Sequence, residues 1–362
     1  MKRIRILIID DSATARAALR AALADDPALE VVGEASDGAE ARANIEQLKP
    51  DLITMDVFLR AENGLDLTAS VMKSTPLPIL VVTAADTKDA TLVFRAMQAG
   101  ALEVCAKLPS PSHPDYAARR ARLVRAIKVL HAVPVIKRRR SRAPRRQNSR
   151  ALGRRQLSVP LATDAPARPM LLIGASTGGP PVLAKLLRDL PRPFPIPIVL
   201  VQHMLAGFVA GFAKWLADDT GHRVSLITHS CAADNGVVYV TDLEHHLVVD
   251  RRARVGVSSE EPRSYHRPSV DVLFESVAAT SCAAQSIAVL LTGMGNDGAH
   301  GLLKLRNAGA HTIAQDPLTC TVSSMPARAI ELNAALEVLA PEAMPATIKD
   351  LLAKLGLPAG AR

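Results

Sequence analysis

Met170-Leu171-Leu172-Ile173-Gly174-Ala175-Ser176-Thr177-Gly178-Gly179 is the stretch that decides how the chain is read. Its first four residues are a continuous apolar run, the signature of a strand buried on both faces. Gly174, Ser176 and Gly178 then form a G-x-S-x-G pattern, in which glycines permit a tight strand-to-helix turn that holds the hydroxyl out into a cleft. Pro180 and Pro181 suit the first turn of a helix, where a missing N–H costs nothing. Alone, the pattern fits equally a glycine-rich connection with an incidental serine. Its meaning depends on what the other strand ends present.

Downstream, Ile196 to Val201 is a second continuous apolar run, and it ends at Gln202-His203. Ser286 to Leu291 is a third, leading into Thr292-Gly293-Met294-Gly295-Asn296-Asp297-Gly298. Between them the pattern predicts a helix over about 206–218, with Phe208, Phe212 and Trp215 on one core-facing side, and short strands at 224–227, 237–240 and 247–250. Arg267-Pro268-Ser269-Val270-Asp271 opens a helix running to Ala278. A strand at 311–315 and helices near 326–339 and 344–355 complete the unit. In a parallel sheet the strand ends converge on one edge, so Ser176, His203 and Asp297 form a candidate nucleophile, base and acid. Serine needs an imidazole to take its proton, and the imidazole needs a carboxylate to fix its tautomer. The order Ser, His, Asp disfavours the α/β-hydrolase fold, whose order is Ser, Asp, His. The loop around Met294 offers backbone N–H groups to a developing oxyanion. A rival reading takes Gly293, Gly295 and Gly298 as a dinucleotide fingerprint with Asp316 at the next strand end. Asp297 counts against it, because it would set a carboxylate beside a pyrophosphate. His245 and His246 lack partners at metal-ligand spacing and read as a strand or turn pair, one ring in and one out.

Upstream, Ile4 to Ile9 is β-branched and runs into Asp10-Asp11-Ser12, the cap of a helix. Four further βα units follow, with strands at 30–35, 52–55, 78–82 and 100–106 and helices at 38–48, 64–72, 87–99 and 116–130. Five such repeats predict a doubly wound parallel sheet. Asp10, Asp11, Asp56, Thr83 and Lys107 fall at its carboxyl edge, where three carboxylates suit Mg²⁺. A carboxylate beside such a cation can attack a phosphoryl donor, with Lys107 offsetting charge and Thr83 hydrogen-bonding the phosphoryl oxygens.

Length and composition agree with two folded α/β units joined by a basic linker. The 362 residues are 48% hydrophobic and 22% charged, enough for two sizeable cores. The formal charge of +9 is local, since Lys137 to Arg155 holds ten basic residues and no acid, leaving −1 for the rest. Residues 131–168 carry that run and several prolines and read as a flexible tether. No aromatic residues are interleaved for base stacking, so nucleic acid is not the expected partner. Cys105, Cys231, Cys282 and Cys320 lie too far apart for a zinc site and fit a reducing cytoplasm. Neither a signal peptide nor a membrane-length apolar stretch is present, so membrane insertion is not expected.

Residues 1–130 resemble the receiver domain of two-component response regulators, which implies a flavodoxin-like fold, Asp56 as phosphoacceptor, and Asp10 and Asp11 as further Mg²⁺ ligands. Arg60, Leu108 and Val104 depart from that family, where proline, proline and an aromatic switch residue are usual. Residues 169–358 are similar to the chemotaxis protein-glutamate methylesterases of CheB type. The likeness rests on Ile173 to Gly179, Gln202-His203-Met204, Arg267 to Phe274 and Leu291 to Ala299. Departures fall at Leu205, Thr241 to His245, and Ser323-Ser324. The resemblance implies Ser176 as nucleophile, His203 as base, Asp297 as orienting acid, Met294 as oxyanion donor, and no cofactor for the esterase. It implies hydrolysis of glutamate methyl esters, and deamidation of certain glutamines, on methyl-accepting chemotaxis receptors, under control of the chemotaxis histidine kinase. The alternative from another class is a non-catalytic response regulator that docks to receptors or nucleic acid through its linker. The lack of a recognisable helix-turn-helix weakens it.

Overall fold

In the computed structural model, residues 3–84, 90–131, 168–204, 208–242, 244–264 and 266–357 are described. All but the two end residues of the 131–168 tether fall outside them, as do the start of the 87–99 helix and Leu205.

The first sheet is built from β1 (Ile4–Ile9), β2 (Leu29–Ala35), β3 (Leu52–Met55), β4 (Ile79–Thr83) and β5 (Glu103–Ala106). Its order is β2-β1-β3-β4-β5, and the pairings are parallel. The connecting helices are α1 (Ala13–Ala24), α2 (Gly38–Leu48), α3 (Gly64–Ser74), α4 (Ala90–Ala99) and α5 (Tyr116–Leu130). Because side chains alternate along a strand, β1 divides between two cores. Ile4, Ile6 and Ile8 join one with α5, and Leu7 and Ile9 join the other. Ser12 caps α1 by accepting the Ala15 N–H at 3.3 Å, as the Asp-Asp-Ser run predicts.

The second sheet has the order β15-β14-β13-β6-β7-β10-β8. Its strands are β6 (Leu171–Ala175), β7 (Ile198–Gln202), β8 (Arg223–Ile227), β10 (Val237–Thr241), β13 (Ile287–Leu290), β14 (His311–Gln315) and β15 (Glu337–Leu339). The helices around it are α6 (Gly179–Arg188), α7 (Val209–Thr220), α8 (Val270–Ala278), α9 (Ala299–Asn307), α10 (Ser324–Glu331) and α11 (Met344–Lys354). β6 and the residue before it divide their side chains as β1 does, with Leu171, Ile173 and Ala175 in one core and Met170 and Leu172 in the other. The chain leaves β6 toward β7 and later returns to its other side with β13. The switch point of this sheet therefore lies at the end of β6, where open α/β sheets bind their ligands.

Three expectations need correction. A small antiparallel sheet, β9 (Cys231–Ala232), β11 (His246–Val249) and β12 (Arg254–Ser258), pairs in the order β11-β12-β9, and only β11 is legible in advance. The helix expected over 326–339 stops at Glu331, and Asn333 adopts φ +54°, a left-handed turn that ends helices. Glu337–Leu339 then pairs with β14 as an edge strand. Finally, Phe208, Phe212 and Trp215 do not face a core of their own domain alone. Phe94 of α4 is 2% exposed and stacks on Trp215 at 4.6 Å and 18°, with Phe212 at 5.3 Å, while Phe208 packs against the cluster that contains Val104. That face is where the two α/β units meet.

Candidate active site

Ser176 follows β6 directly and is only 8% exposed. Its N–H donates to Thr292 O at 3.0 Å, so the turn is tied to the end of β13. Gly178 has φ +77° and makes the turn into α6, whereas Gly174 lies within β6 and serves packing, since a Cβ there would fall 2.2 Å from Val270 Cγ1. Gly178 is thus required both for its backbone and for space, since a Cβ there would fall 2.4 Å from Thr321, and Gly174 for space alone. The register of β6 and β7 pairs Ala175 with Gln202, and the His203 N–H donates to Ala175 O at 2.9 Å. Nucleophile and base therefore leave adjacent strands side by side.

Asp297 is 2% exposed, and both its oxygens are occupied. Oδ1 accepts Ser269 Oγ–H at 2.8 Å and the Asp271 N–H at 2.9 Å, while Oδ2 accepts the Val270 N–H at 2.8 Å and faces His203 Nε2 at 2.9 Å. The carboxylate thus sits on the N-terminus of α8, not on that of its own following helix. Burial works against its charge, but the His203 ring and the α8 backbone hold it down to about 2. An ionised carboxylate only accepts, so Nε2 carries the imidazole proton and Nδ1 holds the lone pair. His203 Nδ1 is buried with no hydrogen-bond partner among the described residues. The ring nitrogens exchange the roles they have in the familiar serine-protease triad, where the acid binds Nδ1.

The loop after β13 lies over this pair. A Cβ on Gly293 would fall 2.7 Å from Ser176 Cβ and 2.1 Å from Met325 Sδ, so only glycine lets the backbone approach the serine this closely. Gly293 N–H donates to Val322 O at 2.9 Å and Gly295 N–H to Ser324 Oγ at 3.2 Å. Met294 lies between them with its own N–H uncommitted to any described residue. The dinucleotide reading loses its parts here. Gly298 has φ +87° at the start of α9 and would meet Val270 and Leu290 if it carried a Cβ, so it makes a turn packed on α8, and Asp316 caps the turn after β14 by accepting the Leu318 N–H.

Sequence reasoning missed His266. Its ring lies flat on His203, with centroids 4.0 Å apart and planes 3° from parallel. Burial, and then the neighbouring His203, lower its basicity, so it presents a neutral π face at neutral pH. The only signal was its position just before the Arg267-Pro268-Ser269 run. Ser269 caps α8, as the Arg267 to Asp271 run predicts, and it also fixes Asp297. Of the adjacent histidines, His246 is fully buried, bonded to the Ser269 N–H and Glu261 O, while His245 turns outward to Asp242.

At the other sheet edge, Asp10, Asp11 and Asp56 bring one oxygen each within 4.8 Å of one another. Lys107 Nζ contacts Asp10 Oδ2 at 2.7 Å and Asp56 Oδ2 at 2.8 Å. Despite partial burial, these two carboxylates raise the lysine above its ordinary value. Thr83 is fully buried at the end of β4. This hard-oxygen donor set fits Mg²⁺, which when bound would offset the charge of Asp56 and of an incoming phosphoryl group. The exposed Arg60 guanidinium stands 3.9 Å from Asp11.

The fold and these two sites define a response regulator whose output domain sets a serine, a histidine and an aspartate at the switch point of a parallel sheet. Comparison with known proteins gives the particular family. A family model described as CheB methylesterase matches residues 171–348, and one described as response regulator receiver domain matches residues 6–113. The chain is 39% identical over 351 residues to protein-glutamate methylesterase/protein-glutamine glutaminase 4 of Geobacter metallireducens, covering 96% of this chain and 99% of that one. It is 36% identical over 358 residues to the like-named protein of Nitrosospira multiformis, covering 98% of each. The crystal structure of the Thermotoga maritima CheB methylesterase catalytic domain is 34% identical, with a TM-score of 0.49, covering 51% of this chain and 98% of that one. The chain belongs to the CheB-type protein-glutamate methylesterase/protein-glutamine glutaminase family. No helix among the described residues is long and apolar enough to cross a membrane.

Proposed function

We propose that the chain is a phosphorylation-controlled protein-glutamate methylesterase and protein-glutamine deamidase acting on chemoreceptor side chains. The observation that carries the reading is the buried His203 ring, bonded through Nε2 to ionised Asp297 with Nδ1 left unpartnered, on a residue whose backbone N–H binds the carbonyl of Ala175 next to Ser176. Ser176 Oγ attacks the γ-carbonyl carbon, and its proton passes to Nδ1. Charge developing on the carbonyl oxygen is met by the uncommitted Met294 N–H. Collapse breaks the bond to methoxide, or to the amide nitrogen, and Nδ1–H protonates the leaving group as methanol or ammonia. Water, deprotonated by Nδ1, then cleaves the acyl-serine to glutamate and regenerates Ser176. The flat contact with His266 offers a π face to the imidazolium formed in each step.

For regulation, Asp56 would accept a phosphoryl group from the chemotaxis histidine kinase, with Asp10 and Asp11 as further Mg²⁺ ligands and Thr83 and Lys107 holding the phosphoryl oxygens. The contacts of Phe94 in α4 with Phe212 and Trp215, and the packing of Phe208 against the receiver cluster that includes Val104, support a path from that site to the strand end of His203. Domain limits of 1–130, 131–168 and 169–358 accompany this reading. Methanol release from methylated receptor is its test. Ser176→Ala should abolish release and block labelling by a fluorophosphonate, and a Ser176→Ala protein that still releases methanol refutes the assignment.

A further inference from the structure

Gln202 is the last residue of β7, 7% exposed, and the catalytic scheme gives it no part. Its side-chain Nε2 donates to Ser176 O at 2.8 Å and to His203 O at 2.7 Å. One amide NH₂ group has two protons, and each is spent on the main-chain carbonyl of one reacting residue. The other end of the amide is committed by shape, because Gln202 Oε1 lies where a Cβ on Gly179 would come within 2.1 Å of it. Gly179 in turn donates its N–H to Ser176 O at 2.8 Å, so the same carbonyl is held from two directions. Oε1 itself has no hydrogen-bond partner among the described residues. A buried acceptor left unpaired is costly, so the side chain is retained for what its NH₂ group does.

We infer that Gln202 is a positioning residue that fixes the distance between nucleophile and base by clamping the carbonyls of Ser176 and His203 to one amide. The adjacent-strand hydrogen bond from His203 N–H to Ala175 O sets the two residues side by side, but it stops one residue short of Ser176. Beyond it the backbone turns into a glycine-rich loop on one side and a connection to α7 on the other. The Gln202 amide is the cross-link past the end of the ladder. Displacement of a reacting pair by about 1 Å costs on the order of 100-fold in rate, so a tie at this point acts on kcat and not on substrate affinity.

This inference rests on the hydrolase reading above, and its test separates the two. Gln202→Met keeps the volume and removes both donors. Gln202→Glu keeps the shape and regains one O–H donor only when protonated. The full-length chain is assayed for methanol release from methylated receptor, with active sites counted by fluorophosphonate titration. The clamp predicts that kcat per titrated site falls about 10- to 100-fold in Gln202→Met with KM held, and that fluorophosphonate labelling slows in parallel. It also predicts that the deficit of Gln202→Glu relative to wild type shrinks as the pH is lowered, while that of Gln202→Met does not. A per-site kcat within about twofold of wild type overturns the clamp, whatever the yield of folded protein, and so does a change confined to KM. If Gln202→Met does not fold, the Gln202→Glu profile decides alone, and a deficit that does not vary with pH overturns it. Failure of the wild-type protein to label, with activity kept by Ser176→Ala, would instead remove Ser176 as the nucleophile, the assignment on which this inference rests.

Discussion

Replacing Asp297 by asparagine tests the site at its most constrained point. The carboxylate accepts from Ser269 Oγ, from the Asp271 and Val270 N–H groups and from His203 Nε2, all between 2.8 and 2.9 Å. Its depression from 3.8 to about 2 corresponds to about 2 kcal/mol of preferential stabilisation of the charged form in the fold. The side chain is 1% exposed, so solvent does not screen this away. A folded pKa below the unfolded one means the stabilisation is present above about pH 4 and is lost as the pH falls through about 2. Asp297→Asn should therefore lower unfolding free energy by about 2 kcal/mol at pH 7, measured by urea denaturation, and the gap should close on acidification. The kinetic effect is larger. If the new NH₂ group faces His203, the imidazole must carry its proton on Nδ1 and ceases to be a base. If it faces Ser269 instead, the tautomer survives but the counter-charge for the imidazolium is gone. Either way kcat should fall by about 10²- to 10⁴-fold, the upper figure being the loss known for the same change in the serine-protease triad. A variant whose per-site kcat stays within about threefold of wild type, while His203→Ala is inactive, would show that Asp297 only caps α8.

Two further substitutions probe what surrounds the triad. Phe94→Ala empties the ring site against Trp215 and Phe212, a loss of about 3–5 kcal/mol. Basal methanol release should rise and the response to acetyl phosphate with Mg²⁺ should shrink toward that of Asp56→Asn; an unchanged basal rate with a full response counts against this contact as the brake. His266→Ala should lower kcat while leaving KM in place, and His266→Phe, which restores a flat π face, should recover most of the loss. Equal kcat values for the alanine and phenylalanine proteins would show that the stack does nothing for the base.

The sequence makes most of this fold legible because strand ends in a parallel sheet carry the chemistry and strands buried on both faces announce themselves as apolar runs. β1, β6, β7 and β13 are all of this kind, and each delivers a named residue to an edge. What escapes has a different physical origin. β15 and β9 are short edge strands, three and two residues long, whose pairing is decided by neighbours and not by their own composition. Asn333 was a visible stop for α10, but the run of Ala and Leu beyond it favoured continuing the helix. The parts that His266 and Gln202 play are invisible for another reason. A stacked ring and a bridging amide act through residues that are distant or already assigned, and neither has a spacing signature. Phe208, Phe212 and Trp215 show the limit of periodicity most plainly, since an apolar helical face looks the same whether it meets its own domain or another.

That last ambiguity bears on how the receiver acts. The receiver touches the catalytic unit on both sides of Ser176. On one side Phe208, five residues beyond His203, packs against the receiver cluster that includes Val104, and Phe94 of the receiver stacks on Trp215. On the other, Val322 joins the receiver cluster of Leu80, Val82 and Leu123, with Leu108 packed against it. Val322 is also the residue whose carbonyl accepts the Gly293 N–H and whose N–H binds Thr292 Oγ1, so it anchors the loop that carries Met294. The receiver therefore packs against both the segment that follows His203 and the residue that anchors the Met294 loop. Leu108 and Val104, two of the positions where this receiver departs from its relatives, lie in the clusters that make those contacts. The clusters that hold Val104 and receive Leu108 also receive Phe208 and hold Val322, so packed apolar side chains join these parts of the receiver to the catalytic unit.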